Sequence, residues 1–400
     1  VDYDYSPTAL KKVVYAGAQA TSFPQGARDL NELAELDISA ERVRRATERI
    51  GEERVAERDA QAAAYEALPI PARRIVPADQ PTPAVACVQM DGGRLQIFDR
   101  AEPERNEDDT FWREMKVGCL WSMTGEVSAE DPCPQLPASF VDPERMRRMV
   151  REIKGFSGPD ASAEDEAEEP RIDERRGRPQ PLARSVVASR HSVETFGKLL
   201  AGEAHQRGFA GAPRKAFVAD GSDANWGVWR RHFSHYVPIL DFIHALTYVY
   251  AAAMAGQALK EGWRAYRAWA QWIWSGQVDR VIAALELRQQ ALGEPAKETP
   301  KTAPSAIVAT SLGYLRNQQS RMNYPEYRKQ GLPITSTYVE STVKQINRRM
   351  KGTEKFWSHG VEPMLTLVAN HLSDTPTLAR FWRNRPHRLT GCRGYQSHAT

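Results

Sequence analysis

The chain has 400 residues, 41% hydrophobic, 9% aromatic and 26% charged, which is the make-up of a globular protein rather than a fibrous or low-complexity one. Its 54 basic and 51 acidic residues leave a net charge of only +3, so affinity for nucleic acid would have to come from local clusters of Lys and Arg. Cys87, Cys119, Cys133 and Cys392 form no Cys-x-x-Cys pair, which argues against a zinc module and a disulfide framework and favours a reducing cytosol.

The length suggests two or three domains, and the elements fall into helical, mixed and helical stretches. Residues 1–68 read as helical. One helix is expected from Thr8 to about Ala20, with a break near Phe23-Pro24, and a second from Ala27 to Leu36. Asp37-Ile38-Ser39 makes a short turn, and Ser39 caps a third helix with Val43, Ala46 and Ile50 inward. Arg42, Arg45 and Arg49 fall on other faces of that helix. A short helix, a tight turn and an arginine-bearing helix have the outline of a helix-turn-helix DNA reader, and equally of an amphipathic bundle with a solvated charged face.

Residues 69–82, with Pro69, Pro71, Pro77 and Pro81, read as a linker. The period then changes to that of strands. Ala84 to Met90 and Arg94 to Phe98 are expected to form a β-hairpin around an Asp91-Gly92-Gly93 turn, with a third strand over Phe111 to Met123. Residues 157–185, rich in Pro, Glu, Asp and Arg, read as a disordered loop. A helix follows over about Ser192 to Gln206. Strands over Lys215–Ala219 and His235–Leu240 end at Asp220 and Asp241.

The apolar stretch from Tyr236 to Gly256 carries Asp241 and His244 near its start, so it reads as strand plus buried helix rather than a membrane span. Residues 244–324 lose strand character, and the crowd of Trp263, Trp269, Trp272 and Trp274 is expected to be helical core. Helices are expected over Ala306–Arg321, Pro333–Met350 with Glu340 near its start, and Val361–Leu372. No signal peptide is visible, and the start at Val1 rather than Met leaves open a missing N-terminal segment.

This order matches an α/β, ribonuclease H-like core in two parts, residues 83–243 and 325–400, interrupted by an all-helical insertion over 244–324. In that layout Asp91 and Asp220 end neighbouring strands and Glu340 packs across the same sheet edge. Each acid alone is as readily a turn or a solvated helix residue. Three carboxylates together would repel one another unless hard cations lay between them, and a pair of such ions supports in-line phosphoryl displacement.

The stretch Tyr327-Arg328-Lys329-Gln330-Gly331-Leu332-Pro333-Ile334-Thr335-Ser336-Thr337-Tyr338-Val339-Glu340-Ser341 and its continuation to Trp357 resembles the final catalytic block of bacterial insertion-sequence transposases of the ISKra family, relatives of the Mutator-like Asp-Asp-Glu enzymes. Met90-Asp91-Gly92 resembles the block of the first acid. Val218-Ala219-Asp220-Gly221 with Trp226 resembles that of the second, for which Asp223 is a competitor. Asp241-Phe242-Ile243-His244 is similar to an Asp/Cys-x-x-His signature of the Mutator-like group, although His244 can also be a satisfied core histidine. The likeness spans about residues 20–375 and departs at Thr335 and Thr337, where some members carry glycine, and in lacking N-terminal zinc-binding cysteines.

The resemblance implies a DNA transposase that binds the terminal inverted repeats of its own element, cuts there and joins the freed 3′ hydroxyls to target DNA. Asp91, Asp220 and Glu340 are then the catalytic acids and the ligands of two Mg²⁺ or Mn²⁺ ions, with Asp241 and His244 as auxiliaries. The implied partners are double-stranded DNA and further copies of the chain, with no membrane and a cytoplasmic, nucleoid-associated location. Lys344, Arg348, Arg349 and Lys351 follow Glu340 and would position phosphate, or be a solvated face. The basic tail Arg380–Arg393 is a further candidate for DNA backbone. The competing readings are a transposase-derived DNA-binding protein without catalysis and a ribonuclease H-like nuclease of repair or RNA processing.

Overall fold

A computed structural model describes residues 5–78, 80–97, 111–154, 178–352, 355, 357 and 360–388. The chain is a mixed α/β protein built on one five-stranded sheet. Its strands are β1 (Val85–Gln96), β2 (Trp112–Thr124), β3 (Gln180–Ser189), β4 (Arg214–Ala219) and β5 (Val237–Leu240), arranged β3-β2-β1-β4-β5. β2 pairs antiparallel with β1 and β3, whereas β4 pairs parallel with β1 and β5, so β2 alone runs against the rest.

The expected hairpin inside residues 84–98 does not form. β1 runs unbroken through Asp91-Gly92-Gly93, because β2 pairs along its whole length from Val85↔Met123 to Gln96↔Trp112. A continuous ladder overrides the turn preference of two glycines. Gly93 has a packing use instead, since a Cβ there would stand 2.5 Å from Met115 Cε. The expected loop over 157–185 is also corrected in part: residues 155–177 lie outside the described residues, but Gln180–Ser185 belong to β3. β3 is an edge strand, where Pro181 costs no internal ladder bond. Its backbone is covered, with Val186 N–H donating to Ser373 Oγ (2.9 Å) and Arg184 N–H to Asp374 Oδ2 (2.9 Å).

Helices cover both faces. On one, α5 (Val193–Gln206) lays Leu200 on Gly118, where a Cβ would meet Leu200 Cδ2 at 2.3 Å. On the other, α12 (Thr337–Met350) sets Tyr338 against Trp121, ring centroids 4.7 Å apart. Strand alternation puts Gln89, Asp91 and Gly93 on this second face. Gln89 Nε2 donates to Thr335 O (2.9 Å), and a Cβ on Gly93 would lie 3.6 Å from Val343.

Between β5 and α12 runs a helical stretch: α7 (Phe242–Met254), α8 (Leu259–Trp274), α9 (Val278–Leu292), α10 (Pro304–Gln318) and the short α11 (Tyr324–Lys329). The tryptophan-rich segment is core here, as expected. Tyr266, Trp269 and Trp274 are buried, Tyr266 Oη donates to Phe140 O (2.7 Å) and Trp274 Nε1 to Cys133 O (2.7 Å).

The N-terminal helices are α1 (Pro7–Gln19), α2 (Phe23–Ala34) and α3 (Ala40–Ala67). Pro24 opens α2 instead of breaking the chain, with Ser22 as its N-cap, and Ser39 caps α3 as expected. Val43, Ala46 and Ile50 are wholly buried with Leu10, Val13, Val14 and Leu30. Leu367 of α13 (Val361–His371) and Phe381 of α14 (Thr377–Arg388) complete this core, so the end of the chain closes the packing of its beginning. Two further helices, α4 (Pro143–Lys154) and α6 (Asp223–His232), have no counterpart in the sequence reading. No helix among the described residues is long and apolar enough to cross a membrane.

Candidate active site

Four acidic side chains and a histidine lie on the α12 side of the sheet, around the level where β4 and β5 stop. Asp220 directly follows β4. Asp91 lies within β1 rather than at its end, but two residues past the last β4 pair, Gln89↔Val218, so it stands at the level where β4 stops. Asp241 follows β5 and caps α7, His244 sits in the first turn of α7, and Glu340 in the first turn of α12.

Each is held by its own local geometry. Asp220 Oδ1 accepts from Ser222 N–H (3.0 Å) and Asn225 Nδ2 (2.8 Å), while Oδ2 takes no hydrogen bond among the described residues. Asp91 Oδ1 accepts from Gly92 N–H (2.7 Å). Glu340 Oε1 accepts from Ser336 Oγ (3.4 Å) and lies 3.7 Å from His244 Nδ1. Asp241 is fully buried. Its Oδ1 accepts His244 N–H (2.6 Å) and faces His244 Nδ1 (3.2 Å), and its Oδ2 accepts the N–H of Ser336. Asp241 therefore ties the start of α7 to the loop that leads into α12.

The electrostatics show one shared field. Burial raises the Asp91 carboxyl to about 6, opposed by the Gly92 N–H and assisted by the charge of Asp220. Burial and then the charge of Asp241 raise Glu340 to about 7, with His244 opposing. For His244, burial opposes a proton, but the bond and charge of Asp241, followed by Glu340 and Asp220, carry it up to about 9. Burial opposes charge on Asp241 too, yet the bonds from His244 and Ser336 hold it below the ordinary carboxylate range. Asp241, 3.2 Å away, is thus the main influence that favours a proton on His244.

The donor atoms of Asp241, His244 and Glu340 lie within 4.8 Å of one another, the only such group among the described residues. Asp241 already accepts hydrogen bonds on both oxygens, which leaves it poorly suited as a cation ligand. Asp91, Asp220 and Glu340 each keep an oxygen clear of these bonds. Asp91 and Asp220 are not part of so close a group; burial comes first in raising Asp91 and Glu340, with the charge of Asp220 adding to the first and those of Asp241 and Asp91 to the second.

The expected cationic residues separate into two kinds. Arg42, Arg45, Lys344 and Arg348 are exposed, and Arg49 and Lys351 are half-buried. Arg45 Nε pairs with Glu41 at 2.7 Å, and Lys351 Nζ sits 5.4 Å from the Trp112 ring centroid. Arg349 is buried: its guanidinium donates to Gly17 O at 3.0 and 3.2 Å and lies over Phe23 and Trp357. That side chain holds α1 to α12 and is withdrawn from any phosphate, which corrects its expected role. In the tail, Arg385 pairs with Glu53 (2.7 Å), and residues 389–400 lie outside the described residues. Asp223, the competitor for the second acid, is exposed in the first turn of α6.

Two site-forming features escaped the sequence reading. Asn225 and Ser222 hold Asp220, and an Asp-Gly-Ser-Asp-x-Asn run with a cap-forming Ser was their available signal. Tyr314 and Gln318 reach the same turn from α10 and left no local signal. No protein-family model and no curated protein matches the chain.

Proposed function

We propose that the chain is a DNA transposase, a nuclease and strand transferase that works through divalent metal held by Asp91, Asp220 and Glu340. What supports this reading most is that three acids, 129 and 120 residues apart in sequence, are linked through their charges, Asp220 raising Asp91 and Asp91 raising Glu340. The strand order β3-β2-β1-β4-β5, with β2 alone reversed, supports a ribonuclease H-like core, and the helices between β5 and α12 support an insertion within it. The likeness of the segment around Glu340 to ISKra-family transposases supports the step from nuclease to transposase.

When bound, two Mg²⁺ or Mn²⁺ ions would supply Lewis-acid activation of the attacking hydroxyl and charge stabilisation of the departing oxygen. Asp220 offers Oδ2 while Ser222 and Asn225 keep Oδ1 in place. Asp91 and Glu340 release their protons as positive charge enters, so affinity for the metal rises with pH through about 6 and 7. His244, protonated and 3.7 Å from Glu340, orients that carboxylate and presents positive charge toward a phosphate. Lys344, one turn beyond Glu340 and exposed, extends this positive side for the DNA backbone.

The test is nicking and strand joining by the purified chain on supercoiled plasmid and on duplexes taken from the DNA flanking its gene, with Mg²⁺ or Mn²⁺. Asp220→Asn and Glu340→Gln are expected to lower the rate by about a thousandfold or more, several kcal/mol of charge stabilisation, without changing the circular dichroism spectrum. Cleavage that survives both substitutions would refute the assignment.

A further inference from the structure

The helical stretch between β5 and α12 does more than separate two halves of a core, because one of its helices grips the turn that carries the second acid. Tyr314 Oη donates to the backbone carbonyl of Asp220 (2.7 Å). One turn further along α10, Gln318 Nε2 donates to the carbonyl of Gly221 (3.0 Å), and Gln318 Oε1 is itself held by Arg321 (2.9 Å). Gly221 has φ +95°, a conformation that side chains disfavour, and a Cβ there would lie 2.9 Å from Tyr314 Oη. The glycine is required both by the backbone and by the closeness of α10.

The phenol that makes this contact is fixed in turn. The Tyr314 ring stacks on Tyr248 of α7, centroids 3.7 Å apart and planes 12° from parallel, and Tyr248 lies one turn beyond His244. Two consecutive peptide carbonyls of the turn are thus bonded from α10, while Ser222 and Asn225 hold the Asp220 carboxylate from α6. Asp220 is immobilised at both its backbone and one carboxylate oxygen, with the other oxygen left for a ligand.

We propose that Tyr314 and Gln318 are positioning residues for the metal site: α10 fixes the Asp220-Gly221 peptide planes so that Asp220 presents Oδ2 to the cation. This rests on the reading of Asp91, Asp220 and Glu340 as metal ligands. Partners of a metal ligand that orient it typically change affinity about 10- to 100-fold when removed.

The experiment is Mn²⁺ binding by calorimetry to the full chain without DNA, so that no catalytic step enters the readout. Tyr314→Phe keeps the ring and its stack and removes only the O–H donor. Its matched control is Tyr266→Phe, which loses an equally short bond to Phe140 O in the same helical stretch, at a hydroxyl that bonds none of the acids. Tyr314→Phe is expected to weaken Mn²⁺ about tenfold, and Tyr266→Phe to leave it unchanged at a similar loss of Tm. Gln318→Met provides the second variant of the grip and is expected to weaken binding in the same direction. Wild-type affinity in both Tyr314→Phe and Gln318→Met, against a clear loss in Asp220→Asn, would overturn this inference alone. A wild-type chain that binds no Mn²⁺ would overturn the metal-site reading and this inference with it.

Discussion

Charge is used in opposite ways in α3 and at the acid-bearing sheet edge. Along α3 several arginines are each bonded to an acid of the chain. Arg44 bonds Glu41 and Glu48, Arg45 bonds Glu41, Arg58 bonds Glu362, and Arg54, only 2% exposed, bonds Glu57 and Asn370 beneath Phe381. At the sheet edge, four carboxylates share one histidine. Pairing within the chain marks charge used for structure, whereas charge left uncompensated in a half-buried cluster marks a place where something else is to bind. The comparison also weighs on the arginine helix as a DNA reader, since much of its charge is already neutralised.

If that contrast is right, removing charge should have opposite consequences in the two regions. The largest effect is expected where the site borrows a structural pair. Asp241→Asn leaves His244 charged against burial and loosens the Ser336 N–H, at a cost of about 3 kcal/mol in denaturant unfolding. A stability equal to that of the wild-type chain would show that Asp241 ties nothing together. Glu340→Gln should act in the reverse sense and stabilise the metal-free chain at pH 8 by about 1 kcal/mol, because it removes a carboxylate whose charge the fold disfavours.

The same logic fixes the sign of the pH dependence. Asp91 and Glu340 have raised folded values, so the folded chain keeps protons that the unfolded chain loses, and stability falls as pH rises from the ordinary carboxylate range through about 6 and 7. His244 is also raised, so its contribution is complete below its unfolded value and is lost as pH rises through about 9. In EDTA these groups pull Tm down from pH 5 to pH 9, against the lowered His232, His235 and His371, whose contribution grows with pH up to the ordinary histidine range. Glu340→Gln should lessen the fall relative to the wild-type chain, and Mn²⁺ added at pH 8 should restore Tm. A wild-type profile that rises between pH 7 and pH 9 would contradict the placement of these groups. The smallest effect belongs to α3: Arg45→Ala, which breaks one exposed pair with Glu41, should change stability by no more than about 0.5 kcal/mol.

Local signals reached the settings of Asp220 and Glu340 but not that of Asp91. β4 and its terminal Asp220 were legible because a short β-branched and aromatic run stops at Asp-Gly, and Glu340 because α12 carries a clear helical period. β1 was misread because Gly92 and Gly93 are turn residues in isolation, and only pairing with β2 makes them strand. β3 was hidden next to an acidic stretch, with Pro181 and Arg184 breaking its alternation, and an edge strand tolerates both. Arg349 looked like one more cation after Glu340. Its burial depends on Gly17, Phe23 and Trp357, which lie elsewhere in the chain or on another element, and no local pattern announces that. The grip of Tyr314 on Asp220, across 94 residues of sequence, was invisible for the same reason.

The most direct test of the central claim is anomalous diffraction from crystals of the chain soaked in Mn²⁺ at pH 8. The account predicts two peaks about 4 Å apart between Asp91, Asp220 and Glu340, with Asp220 ligating through Oδ2 and Asp241 still bonded to His244 and Ser336. A single peak on Asp241, His244 and Glu340, or no peak at this sheet edge, would contradict it.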